Sequence, residues 1–226
     1  PVDDRDGIGA GIAVADAVGV ELVSEIELAY RWEQERPGGP RPMLAITGTD
    51  GKTTTTLLAV EMLRAAGLRT IDAGNTSTPL VDAIEMDLDA FVVECTSFRL
   101  AWTPTFRAEG AAWLNLAPDH LNWHRSMDSY DAAKAQLWAN QRPHDVAVGF
   151  IDDSVVMRRL QAAPARSVTF GAAGADYCVA DGHLVDGRHR PTRSLHRQRD
   201  DARRERDGGE RGLLQDEPPR QRAIER

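Results

Sequence analysis

The stretch Met43-Leu-Ala-Ile-Thr-Gly-Thr-Asp-Gly-Lys-Thr-Thr-Thr-Thr56 constrains the fold more than any other part of this sequence. A short apolar run stops at Gly48, Gly51-Lys52-Thr53 follow, and a helical pattern then runs to Gly67. Strand, glycine-rich turn and helix in that order set backbone N–H groups and a helix N-terminus against a phosphate. Gly48 and Gly51 permit backbone conformations and a close approach that a side chain would block. Lys52 is a point charge able to reach terminal phosphates, and the Thr53 hydroxyl is a ligand for the accompanying magnesium. The strict phosphate-loop pattern has a glycine where Ile46 stands, so the match rests on Gly48-Thr49-Asp50-Gly51-Lys52-Thr53-Thr54 and on its flanking strand and helix.

Downstream the pattern alternates. Strands are expected over 68–73, 89–95, 110–116, 146–151 and 167–170. Helices are expected over 52–66, from Leu80, over 127–141 with Ser126 or Asp128 as its cap, and over 154–162. Leu57, Leu58, Val60, Met62 and Leu63 are the expected buried side of the first helix. Tyr177 to Val185 reads as a hairpin about Asp181-Gly182. The fold class expected is therefore α/β, a mostly parallel sheet with helices on both faces. Ligands of such sheets bind at the C-terminal strand ends, where Lys52, Asn75, Glu94 and Asn115 fall.

Three segments divide the chain. Residues 1–42 carry weak helical patterns at Gly7–Val18 and Glu27–Glu35 and close on the linker Arg36-Pro-Gly-Gly-Pro-Arg-Pro42. Residues 43–187 hold the alternation. Residues 188–226 carry twelve arginines and eight acids with little apolar content, and are expected to be disordered.

A net charge of −8 argues against general nucleic-acid binding. No apolar run reaches the ~20 residues that span a bilayer. No signal peptide is read at the start, so a cytoplasmic location and a monomer without membrane contact are expected. Cys95 and Cys178 are too few for a disulfide framework or a zinc site.

Of 27 basic residues only Lys52 and Lys134 are lysine. A chain that otherwise uses arginine keeps lysine where shape or proton loss matters. Lys134 lies on a helix with Tyr130 and Trp138 four residues to either side. Two readings stand for it: a surface lysine snorkelling past aromatics, or a buried amine of lowered pKa that reacts with carbon dioxide to give a carbamate. Glu94 ends an apolar strand, where an acid costs desolvation unless it is paired or binds a cation. Beside a phosphate loop that cation is magnesium. Asp119 and His120 follow the fourth strand as candidates for a second metal site, while His124 reads as a surface or packing residue.

These blocks, in this order, resemble the Mur ligase family: Gly48-Thr-Asp-Gly-Lys-Thr-Thr54, Gly74-Asn75 with Pro79, Glu94-Cys-Thr-Ser-Phe-Arg-Leu100, Leu114-Asn-Leu-Ala-Pro-Asp-His-Leu-Asn-Trp-His124 and Ala132-Ala-Lys134. The resemblance covers about residues 43–187, as an incomplete ATP-binding (P-loop type) central domain, and is strongest toward the D-glutamate-adding branch. Residues 1–42 look like the end of an N-terminal UDP-binding domain, and 188–226 look like a frameshifted continuation.

The resemblance implies an ATP-dependent ligase of peptidoglycan synthesis that joins D-glutamate to UDP-N-acetylmuramoyl-L-alanine through an acyl phosphate. It implies ATP at residues 48–54, with Lys52 catalytic, and magnesium on Thr53 and Glu94. A second magnesium falls to His120 with carbamylated Lys134, and substrate contacts to Asn75 and Thr96. A non-catalytic nucleotide-binding fragment, a sister Mur ligase and a folylpolyglutamate synthase are the alternatives. The chain alone is expected not to ligate. Departures from the family pattern include Asp50 for asparagine, Thr76-Ser77 after Asn75, Arg99 for glutamine, and Pro118 and Asn122 around Asp119-His120.

Overall fold

The computed structural model describes residues 12, 14, 15, 17–180 and 182–187. The expected disorder of 188–226, most of the Gly7–Val18 pattern and Asp181 of the hairpin turn lie outside them. The elements run α1 (Glu25–Gln34), β1 (Met43–Thr47), α2 (Lys52–Ala65), β2 (Thr70–Gly74), α3 (Leu80–Ala83), β3 (Ala90–Glu94) and α4 (Ser97–Leu100). They continue with β4 (Gly110–Trp113), α5 (Leu121–His124), α6 (Met127–Ala139), β5 (Val146–Phe150), α7 (Ser154–Ala162), β6 (Arg166–Gly171), β7 (Tyr177–Ala180) and β8 (His183–Asp186).

These strands form one eight-stranded sheet in the order β2-β3-β1-β4-β5-β6-β7-β8. Every pairing is parallel except the β7–β8 hairpin. The expected α/β class with a mostly parallel sheet is thus observed, with strand ends shifted by one to three residues. The chain leaves β1, returns two strands away as β2, fills in with β3, and then crosses to β4 on the other side. Strand order reverses at β1, and the crevice beyond its C-terminal end is where such sheets bind ligands.

The main core lies on one face. There α1, α3, α4, α6 and α7 cover Met43, Ala45, Phe91, Val93, Ala111, Trp113 and Ala147. The Trp113 and Trp138 rings meet at 5.4 Å. Both indoles find acceptors, Trp113 Nε1 on the Asn115 carbonyl at 3.0 Å and Trp138 Nε1 on that of Ala111 at 3.1 Å. Buried indoles need such partners.

The other face corrects the sequence reading. Among the described residues α2 alone covers it, packing Val60 on Ile46 and Val92 with Ala59 and Leu63 alongside. Leu57, Leu58 and Met62, expected to be buried, are 48%, 56% and 53% exposed. The sheet fixes which stripe of α2 is covered: Thr56 and Val60 are buried against it, and Leu57, Leu58 and Met62 point out. A helix whose apolar residues surround its axis leaves the choice of face to the surface it meets.

The segment before β1 belongs to the same core. Ser24 caps α1, and Ile26, Ala29 and Tyr30 are buried with the main cluster. Glu27, wholly buried, accepts from the Phe106 amide at 2.8 Å, the Thr105 amide at 3.1 Å, the Thr105 hydroxyl and Arg31 Nε at 2.7 Å. Arg41 pairs with Glu33 at 2.7 Å, donates to the carbonyls of Ile84 at 2.6 Å and Met86 at 2.7 Å, and lies over the Phe91 ring. Both members of that pair are buried. No helix among the described residues is long and apolar enough to cross a membrane.

Replacing Glu27 by alanine orphans the Thr105 and Phe106 amides, and a buried donor left unsatisfied costs about 1–3 kcal/mol. Glu27→Ala is therefore expected to lower unfolding stability by about 2–4 kcal/mol, read as a lower urea midpoint at unchanged m. A loss under about 0.5 kcal/mol would show that α1 is not anchored through this carboxylate.

Candidate active site

The strand register brings the site together. Ile46 of β1 and Gly74 of β2 both align with Glu94 of β3, and Thr47 aligns with Trp113 of β4. One residue further along lie Gly48 and Asn75, and two beyond Trp113 lies Asn115, so residues distant in sequence emerge at one sheet end.

The loop from Gly48 to Gly51 is held by its neighbours. Gly51 caps α2 in the left-handed region at φ 80°, which a side chain disfavours. A Cβ on Gly48 would lie 3.1 Å from both the Asp50 carbonyl and Leu114 Cβ. The first turn bond of α2 runs from the Thr55 amide to the Gly51 carbonyl. The amides of Gly51, Lys52, Thr53 and Thr54 precede it, and a helix N-terminus offers such amides to an anion. Lys52 Nζ donates to the carbonyls of Gly48 at 3.0 Å and Thr49 at 2.8 Å, folded back over the loop.

Glu94 is 2% exposed and ends its strand between two donors. Thr53 Oγ1 donates to Oε2 at 2.7 Å, and Asn75 Nδ2 to Oε1 at 3.0 Å. A hydroxyl and a carboxylate oxygen this close form a hard-oxygen edge that fits magnesium, which takes one or two carboxylates and completes its shell with phosphates and water. The fit needs no larger cluster, and among the described residues no group of three or more His, Cys, Asp or Glu is placed to hold a metal.

Lys134 is 1% exposed, so of its two readings the buried amine is the one observed. Its Nζ donates to the Gly48 carbonyl at 2.7 Å and stands 4.7 Å from the centre of the Tyr130 ring. Burial first, and the Lys52 charge second, lower its pKa to about 7. A substantial fraction of the amine is then neutral near physiological pH, as attack on carbon dioxide requires.

His120, 46% exposed, lies on the rim. Its backbone is left-handed at φ 52°, its ring packs on Phe98 at 4.8 Å, and its Nε2 is 3.3 Å from Asp119 Oδ2. Tyr130 stands between His120 and Lys134, edge-on to the imidazole at 6.5 Å and beneath the amine. The two proposed supports of a second metal thus flank one aromatic ring. Thr96 caps α4, its hydroxyl oxygen accepting weakly from the Arg99 amide at 3.5 Å. Arg99 forms an ion pair with Glu25 of α1. Cys95 is buried, and burial drives its thiol pKa upward, which keeps it inert.

His124 is a packing residue. It is buried, its Nε2 lies 2.7 Å from Ser97 Oγ, and its ring stacks on Phe98 and touches Tyr130. Burial lowers its pKa to about 4, with Lys134 and His120 adding to the shift. Sequence reasoning treated Tyr130 only as a neighbour of Lys134 and gave Ser97 no role. The four-residue spacing of Tyr130 and Lys134 was the available signal.

The Mur ligase middle domain pattern matches residues 46–194. The chain belongs to the Mur ligase family. It is 46% identical over 182 residues to a UDP-N-acetylmuramoylalanine–D-glutamate ligase of Frankia casuarinae, covering 77% of this chain and 37% of that protein. The chain therefore spans less than half the length of the curated relative it matches. Among solved structures, the fold is similar to that of a UDP-N-acetylmuramate:L-alanyl-γ-D-glutamyl-meso-diaminopimelate ligase from Neisseria meningitidis, at 16% identity and TM-score 0.58, covering 83% of this chain and 63% of that one. It is likewise similar to the MurF ligase of Thermotoga maritima in complex with ADP, at 18% identity and TM-score 0.53, covering 72% of this chain and 40% of that one.

Lys134 gives a pH prediction. Its folded pKa of about 7 lies below the ordinary lysine value of 10.5. Between those values the unfolded chain binds more protons than the folded one, so this group makes stability rise with pH across that window, by up to about 1.4 kcal/mol per pH unit. Lys134→Met is expected to remove that rise. Unfolding of both proteins between pH 7 and pH 10 checks it, and parallel curves would place the amine in solvent.

Proposed function

We propose that this chain carries the nucleotide-binding part of an ATP-dependent ligase that joins D-glutamate to UDP-N-acetylmuramoyl-L-alanine in peptidoglycan synthesis. The observation that carries the reading is the convergence of Lys52, the Thr53–Glu94 pair and the low-pKa Lys134 amine on the phosphate loop. The relative from Frankia supports the choice of UDP-linked substrate and amino acid.

In the reaction, the L-alanine carboxylate attacks the γ-phosphorus of ATP, an acyl phosphate forms and ADP leaves. The D-glutamate amine then attacks the acyl carbon and loses a proton, the C–N bond forms as the C–O bond to the phosphoryl group breaks, and inorganic phosphate leaves with one oxygen of the former carboxylate. The loop amides hold the phosphates. Lys52 swings from the Gly48 and Thr49 carbonyls to the β- and γ-phosphates, trading neutral acceptors for charged ones. Thr53 and Glu94 hold magnesium, which when bound neutralises charge on the transferring phosphoryl group. Lys134, as the neutral amine, takes up carbon dioxide with loss of a proton. The carbamate so formed would be a carboxylate able, with His120, to support a second magnesium. Asn75 and Thr96 would contact UDP-N-acetylmuramoyl-L-alanine, the acyl donor. The protein works in the cytoplasm, where ATP and the UDP-linked substrate are found.

The chain alone is expected to bind Mg·ADP but not to ligate, because closing domains complete such sites. Calorimetry should show Mg·ADP binding that Lys52→Ala weakens about tenfold or more. Joined to the C-terminal portion of the Frankia relative, the chain should incorporate labelled D-glutamate into UDP-N-acetylmuramoyl-L-alanine with one ADP released per amide. Lys134→Ala should abolish this, with partial rescue by short carboxylic acids. A joined protein that binds Mg·ADP yet accepts another amino acid would refute the assignment of D-glutamate.

A further inference from the structure

Asn115 follows β4 directly, and its carboxamide is committed to the phosphate loop. Oδ1 accepts from the Thr49 amide at 2.9 Å and the Asp50 amide at 3.0 Å, while Nδ2 donates to the Asp50 carbonyl at 3.1 Å. The pairing continues on both sides. The Leu114 amide donates to the Thr47 carbonyl at 2.9 Å, the Ala117 amide to Thr49 Oγ1 at 2.9 Å, and Thr49 Oγ1 lies 3.2 Å from the Ala117 carbonyl. The segment after β4 is thus zipped along the loop, and it leads on to Asp119 and His120.

This pairing divides the loop amides into two sets. Those of Thr49 and Asp50 are taken by Asn115: both donate to its side-chain oxygen, and the Thr49 amide also reaches its main-chain carbonyl at 3.2 Å. Those of Gly51 to Thr54 precede the first bond of α2 and remain for a ligand. No other side chain type of this size meets the demand. A carboxylate in its place would accept from both amides but cannot donate to the Asp50 carbonyl, and it would add charge beside Asp50 where phosphates bind. An aliphatic side chain would release the loop.

We infer that Asn115 is a positioning residue for nucleotide phosphates, fixing the loop so that its remaining amides converge before the nucleotide arrives. The inference rests on the nucleotide-binding reading of the site. Its energetic content is preorganisation: a loop ordered in advance spends less binding free energy on its own ordering.

The test uses the 226-residue chain and Mg·ADP. Three quantities are measured: amide exchange at Thr49 and Asp50 without nucleotide, the melting temperature, and Kd for Mg·ADP. Asn115→Ala is expected to speed exchange at the Asp50 amide about tenfold or more, and less at the Thr49 amide, which keeps the residue 115 main-chain carbonyl, and to raise Kd about fivefold or more, with the melting temperature little changed. Fast exchange with an unchanged Kd would overturn the proposal.

Asn115→Asp serves as the second variant, and the deciding one if the alanine variant does not fold. It should keep slow exchange at both amides but raise Kd, more so at low salt than at high salt. Wild-type affinity for that variant at low salt would overturn the proposal. A wild-type chain that binds no Mg·ADP, with exchange still responding to Asn115→Ala, would refute the nucleotide reading and the positioning role with it. That signature differs from the failure of Asn115 alone.

Discussion

The buried amine of Lys134 on the carbonyl of Gly48 is the contact on which the site depends. It ties α6 to the turn between β1 and α2, across 86 residues of sequence. An ammonium group in that position pays a desolvation cost, and the structure returns only part of it through the Gly48 carbonyl, a long contact to the Thr47 hydroxyl at 3.5 Å and one aromatic face. The remainder appears as a lowered proton affinity. The same burial that holds the turn in place thus leaves a reactive amine at the sheet end.

Around that contact the site is built from pairs that serve the loop before any ligand arrives. Thr53 and Asn75 satisfy both oxygens of Glu94, and Asn115 satisfies two loop amides. Lys52 rests on two loop carbonyls. Lys52 and Glu94 each have only neutral partners here, and an ion gains more from an opposite charge, a phosphate for the one and a cation for the other, than from a neutral group, while Asn115 stays on the loop. The loop is thereby ordered without being blocked.

The scaffold behind the site explains how the segment before β1 takes part. Glu27 caps the turn at Thr105 and Phe106, and Arg41 bridges Glu33 to the carbonyls that end α3. Glu25 reaches both the Val81 amide and Arg99. Three acids on a helix outside the alternating pattern thus fasten it to α3, α4, the turn at Thr105–Phe106 and the linker residue Arg41. In sequence they read only as charges on a short polar helix, since Glu25 and Glu27 reach partners 56 and 78 residues away, and Glu33 acts through Arg41, whose carbonyl acceptors lie 43 and 45 residues on.

Local chemistry was legible in the sequence wherever neighbours along the chain decided it. The order of strands and helices follows from apolar runs and their spacing. The turn at Gly48–Lys52 follows from glycine positions, and the cap at Ser126 from a hydroxyl before a helical run. The blocks around Lys52, Glu94, His120 and Lys134 gave the family. Tertiary structure alone decided which stripe of α2 is buried, because Leu57, Leu58 and Met62 are as apolar as Val60 and only the sheet distinguishes them. It alone decided that Lys134 is inside, and that Asn115 faces the loop, because both depend on the register that sets β1 between β3 and β4. Periodicity along a chain specifies what each segment can bury, while the side-by-side order of strands specifies what it meets.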